Sequence, residues 1–189
     1  MKNKLIIMII LFAVISINSQ EKLPYREIPL MEESYTAQNT VARMIDGLAF
    51  RYYWSTDKLR SVDLAYQPKG EGRTCQQTVN HLYDLSNMML LLTKTEFKQA
   101  LEKDKMTFLT MRKQTLLNLQ ALSNRIKERE NLLEFTVIKE GGIRIPFFNI
   151  INGPIADAIW HTGQVASFRR SSGNPISSKI NHFTGTVKE

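Results

Sequence analysis

The chain has 189 residues, 25 Lys and Arg against 18 Asp and Glu, a formal charge of +7 and a single cysteine. Cys75 has no partner for an internal disulfide, so stability must come from a packed core, and with no motif around it Cys75 reads as a small semi-buried residue rather than a nucleophile. The basic residues are scattered, without a Lys/Arg block or an interleaved aromatic platform, which argues against a nucleic-acid partner despite the high pI.

In chain order, the first element is a leader. Lys2 and Lys4 precede an apolar run from Leu5 to Ile17, and the polar Asn18, Ser19 and Gln20 follow. The run is shorter than the about 20 residues that cross a bilayer. Residues 1–20 therefore read as a secretory signal peptide cleaved near Ser19 or Gln20, with an uncleaved short anchor as the alternative. The mature chain is then expected to be periplasmic or secreted, with no stable membrane span. No cysteine follows the run, so nothing suggests a lipoprotein. Losing Lys2 and Lys4 lowers the formal charge to +5, and what remains is the length of one ordinary domain.

Residues 21–34 (EKLPYREIPLMEES) read as an extended lead-in. A first helix is expected over Tyr35–Leu59, its buried stripe formed by Val41, Met44, Ile45, Leu48, Ala49 and Tyr52. Residues 61–73, with Pro68, Gly70 and Gly72, read as a long loop. A second helix follows over Thr74–Leu92, whose stripe is His81, Leu85, Met88 and Leu92. A third spans Lys103–Asn131, with Phe108, Met111, Leu119, Leu122 and Ile126 on one side. Residues 132–148 alternate on either side of Gly141-Gly142 and predict a small β-hairpin. The fourth helix is expected to be capped by Asn152, to carry Pro154 in its first turn and Arg169-Arg170 in its last, and to stop at Gly173 and Pro175. Four amphipathic helices with a hairpin insertion predict an all-α four-helix bundle over residues 35–177, with 178–189 as a C-terminal tail.

Two polar anomalies interrupt the apolar pattern. His81 sits on the stripe of the second helix. Asp157, His161 and Gln164 fall at i, i+4 and i+7 of the fourth, on one face with Phe168. Side chains at i and i+4 lie about 6 Å apart at Cβ and can reach one ion. His81, Asp157 and His161 are thus candidate ligands for a divalent transition metal, and two imidazoles with one carboxylate suit Zn, Ni, Fe or Mn alike. Each also has a plainer reading: Asp157 as an acid favoured in a first helical turn, the histidines as hydrogen-bonded core residues. Gln164 either orients His161 or a bound water, or bridges helices. Asp84, at i+3 from His81, either accepts that imidazole's second N–H or is solvated. His182 follows the helix stop and is peripheral. Trp54 and Trp160 read as packing area.

These motifs resemble the DinB/YfiT-like superfamily of metal-binding four-helix bundles. NHLYDL (80–85) resembles the family's second-helix histidine motif, HTGQVASFRRSSGNP (161–175) its fourth-helix motif, and RYYWSTDKL (51–59) the end of its first helix. The resemblance runs from about residue 35 to residue 177. It departs from the family at two positions. Asp157 stands where a histidine is usual, giving His-Asp-His, and Thr162 stands where an arginine precedes Gly163-Gln164. With the leader pointing to export, the resemblance implies a metal-binding protein, a metal-dependent hydrolase or thiol-transferase-like enzyme acting on a small molecule. Export disfavours cytosolic thiols as cosubstrate, so hydrolysis leads. It also implies homodimerisation. The alternative is a non-catalytic extracytoplasmic helical-bundle binding module with a structural metal or none.

Overall fold

The computed structural model describes residues 22–30, 33–96 and 101–188. The expected signal peptide, residues 1–20, lies outside the described residues.

Among the described residues, four long helices dominate. Helix α1, Ala37–Thr56, starts where the Thr36 side chain accepts from Asn39 N and buries Val41, Ile45, Leu48, Ala49 and Tyr52. It ends three residues before the expected Leu59, because Asp57 turns extended and Lys58 adopts φ +54°. The expected loop over 61–73 contains a short helix, α2, Ser61–Ala65. Helix α3, Cys75–Leu92, begins with a reciprocal capping box in which Thr74 accepts from Gln77 N and Gln77 Oε1 accepts from Thr74 N. Helix α4, Phe108–Lys127, is shorter at both ends than the expected Lys103–Asn131. Lys103–Lys105 form a separate 3₁₀ turn, and Thr107 caps α4 itself.

The hairpin forms where the alternation places it. Strands β1, Val137–Ile138, and β2, Arg144–Ile145, pair antiparallel with Val137 opposite Ile145, and Gly141 and Gly142 both turn with positive φ.

The approach to the last helix differs from expectation. Asn152 does not cap it. A helical turn α5, Phe147–Ile150, runs into a wide π turn over Ile151–Ile155, and α6, Ala156–Ser171, continues from there. Pro154 inside this stretch has no N–H to donate and its ring crowds the carbonyl four residues back, so the helix widens instead of starting fresh. Gly153 takes up the kink with φ −88° and ψ −105°. The C-terminus follows expectation, with Gly173 N donating to Arg170 O (3.1 Å) and Asn174 N to Arg169 O (2.8 Å) around a left-handed Gly173.

Helix α1 packs on α4 and α6, and α3 packs on the same two, so the four long helices surround one core. That core contains Ile45, Leu48, Tyr52, Val79, Leu82, Met89, Leu116, Leu122, Ile126, Ile155 and Val165. Among the described residues no helix is long and apolar enough to cross a membrane.

Residues 178–189, expected as a tail, are folded through residue 188. Strands β3, Ile180–Asn181, and β4, Thr186–Val187, pair antiparallel. This second hairpin holds the lead-in through Ile28 N to Gly185 O (2.9 Å) and Val187 N to Glu27 Oε1 (2.9 Å). The lead-in is itself anchored, since Tyr25 is buried and its hydroxyl donates to the buried Asp46 (2.9 Å).

Candidate metal centre

Helix α6 presents its core through Ala158, Thr162, Val165 and Arg169, in line with Ile155 of the π turn before it. Asp157, His161 and Gln164 precede three of these positions by one residue, so they occupy a neighbouring stripe about 100° round the helix. They are therefore on the flank where α6 meets α3, not on the core face. His81 is likewise at the edge of the α3 core face. That face runs through Val79, Leu82, Ser86 and Met89, whereas Met88, expected in the buried stripe with His81, is exposed. A flank position explains how polar side chains fit into these helices without a burial penalty.

The three expected ligands meet. His81 Nε2 lies 3.2 Å from Asp157 Oδ2, and His161 Nε2 lies 3.3 Å from Asp157 Oδ1. The two imidazole rings stand edge to face with centroids 4.7 Å apart. One ligand atom from each residue falls within 4.8 Å of the others, a group that could hold a metal ion. Ligands about 2.1 Å from one ion stand roughly 3.0–3.4 Å apart at adjacent coordination positions, so the two His–Asp separations fit a shared cation. Side-chain exposures of 28% for His81, 41% for Asp157 and 13% for His161 let solvent reach the cluster. Asp157 lies in the first turn of α6, but the helical path enters that turn continuously from Phe147, so no free helix N-terminus stabilises its charge.

Around this cluster the two polar neighbours separate. Gln164 Oε1 accepts from His161 Nδ1 at 2.7 Å, so the amide orients the imidazole and fixes Nε2 as the atom facing Asp157. Asp84 does not reach His81. Its two carboxylate oxygens are each 2.6 Å from Lys103 Nζ. The i+3 spacing from His81 hid this, because the partner lies beyond the helix end. Trp160 does not supply packing area, being 72% exposed on the outside of α6. Trp54 is half-buried and donates from Nε1 to Arg26 O (3.0 Å). His182 is away from the cluster, edge-on to Phe50 with centroids 5.8 Å apart. Cys75 is fully buried, and burial pushes its thiol up to about 11, which keeps it protonated and unreactive at neutral pH.

A second polar cluster, unforeseen from the sequence, holds the end of α6 in place. Asp63 is wholly buried and accepts from Arg60 Nη2 (2.7 Å), Ser172 Oγ (2.6 Å) and Asn174 Nδ2 (2.7 Å). The hydrogen bond from Arg60 is the main reason its carboxyl sits well below the usual carboxylate range, with Ser172 and Asn174 adding to it against the opposing effect of burial. Arg169, also buried, donates from Nη1 to the carbonyls of Trp54 (2.6 Å) and Ser55 (3.2 Å) at the end of α1. Together these contacts lock the C-terminal end of α6 to α1 and α2.

Comparison with protein-family models, with curated proteins and with solved structures finds no match to this chain.

Proposed function

We propose that the chain is an exported, DinB/YfiT-like four-helix bundle that holds one divalent transition metal, Zn, Ni, Fe or Mn, on His81, Asp157 and His161 and hydrolyses a small molecule. The observation that carries this reading is the convergence of two imidazole nitrogens from different helices on the two oxygens of one carboxylate. With Nδ1 donating to Gln164, a neutral His161 turns a lone pair toward Asp157. Lone pair against carboxylate is repulsive, and a cation between them removes the repulsion. Bound there, such an ion would supply Lewis acidity toward water or a polarised carbonyl or ester group. Asp157 contributes the one formal negative charge, the imidazoles bind as neutral donors, and Gln164 holds His161 in the required orientation. Three protein ligands leave positions open on an ion of coordination number four to six, as a catalytic site requires.

A second reading rests on the same contacts. A proton on each imidazole Nε2 also satisfies Asp157, which would make the triad a hydrogen-bonded clasp between α3 and α6 in a non-catalytic binding module. Cobalt substitution separates the two. The mature chain loaded with Co(II) is expected to show visible d–d bands that shift when azide or a small thiol is added. Bands that form but do not respond to added ligand would indicate a closed structural site. Absence of any cobalt spectrum would leave only the clasp.

A further inference from the structure

Another face of α6, turned toward α1 and the C-terminal hairpin, lines a cleft of about 530 Å³. Arg51 of α1, Arg170 of α6, and Ser177, Ser178 and His182 of the C-terminal segment surround it, and none of its lining side chains is a carboxylate. Arg170 makes no ion pair or side-chain hydrogen bond with any described residue. The Arg51 guanidinium is oriented by neutral acceptors only, with Nη1 3.0 Å from Gly47 O and Nη2 3.3 Å from His182 O. Both charges therefore reach the cleft uncompensated, and a concave wall concentrates the positive potential they create.

The wall opposite α6 is built, not draped. Ile180 is buried, His182 packs edge-on against Phe50, and the hairpin is tied to the lead-in through Gly185 O. Burial, and then the nearby Arg51, hold the His182 imidazole below its ordinary pKa. Ser177 Oγ accepts from Lys179 N (3.2 Å), which leaves its hydroxyl hydrogen available as a neutral donor.

From this arrangement we infer that the cleft between Arg51 and Arg170 binds a small molecule through an oxyanion group, a phosphate or a carboxylate. The guanidiniums supply charge-assisted hydrogen bonds and the serine hydroxyls complete the donor set. The site is independent of His81, Asp157 and His161, and its standing does not depend on a metal.

The test is a calorimetric titration of the mature, chelator-treated chain at low ionic strength, with inorganic phosphate in one arm and acetate in the other. Saturable binding is expected in at least one arm, and the tighter arm identifies the oxyanion. Replacing the exposed Arg170 alone, R170Q, is expected to weaken that binding roughly tenfold, with circular dichroism unchanged. The double variant R51Q/R170Q is expected to abolish it. In D157N the affinity should equal that of the parent chain. Binding that fails to saturate in both arms, that survives the double variant, or that is lost in D157N would overturn the inference.

Discussion

Gln164 shows how much depends on one amide. It makes a 2.7 Å contact to His161 Nδ1 and fixes which ring nitrogen faces Asp157. Gln164→Leu removes that acceptor without touching a ligand, so metal affinity is expected to fall by about 10- to 100-fold while helicity is unchanged. Competition against a chromogenic chelator measures this. Asp84→Asn serves as the control and is expected to leave affinity unaltered, since its carboxylate faces Lys103. Asp63 makes a different prediction. Asp63→Asn keeps the volume but removes the charge that three side chains converge on, and should cost about 2–4 kcal/mol in chemical unfolding at neutral pH. The folded-state pKa lies below the unfolded value of about 3.9, so the stabilisation is complete above that value. It is lost only as pH falls through the lower, folded value. The gap between parent and variant should therefore hold from pH 7 to about pH 4 and close below it. A gap that closed near pH 6 would mean a histidine, not Asp63, carries the effect. The two clusters also differ in what the sequence reveals. Asp157 and His161 are four residues apart on one helix, and helical periodicity alone puts them together. Asp63 meets Ser172 and Asn174 across 109 and 111 residues, and no local pattern marks such a pairing.

At the scale of elements, the long helices were readable because each buries residues at a regular spacing, and the β1–β2 hairpin because paired glycines punctuate an alternating stretch. What was not readable is where neighbouring segments override local signals. Asn152 and Pro154 look like a helix start, yet apolar Phe147 and Ile150 are buried ahead of them, and the chain keeps helical form through a π turn to bury both. The same limit applies to the tail. A two-residue strand pair has no periodicity to detect, and β3–β4 is held by contacts with residues 27 and 28, over 150 positions away. Gly185 is the tightest of these contacts. Its φ is +74°, and a Cβ there would run into Ile28. Gly185→Ala is expected to destabilise the chain by about 2–4 kcal/mol, combining left-handed strain with overpacking. Limited proteolysis should then cut between residues 178 and 188 sooner than in the parent. Unchanged stability and unchanged cleavage would mean that the hairpin is not held against the lead-in.

For the molecule as a whole, four long helices around one core bring side chains from α3 and α6 to a common flank, which no single helix could do. The sequence indicated which residues would meet but placed them on the core face. The flank placement follows from Ala158, Thr162 and Val165 claiming the interior, and it leaves the His-Asp-His group partly open to water. Openness of this kind separates a site able to receive substrate from a sealed structural one, and the proposed function rests on that group holding an ion. The measurement that bears on it most directly is elemental analysis of the chain from residue 21 onward, purified without chelators or a histidine tag, beside Asp157→Ala and His161→Ala. About one equivalent of a transition metal is expected in the parent, with loss of that metal in both variants. A parent chain that is metal-free and takes up none of Zn, Ni, Fe or Mn on reloading would contradict the proposed function, and would leave His81, Asp157 and His161 as a hydrogen-bonded clasp between two helices.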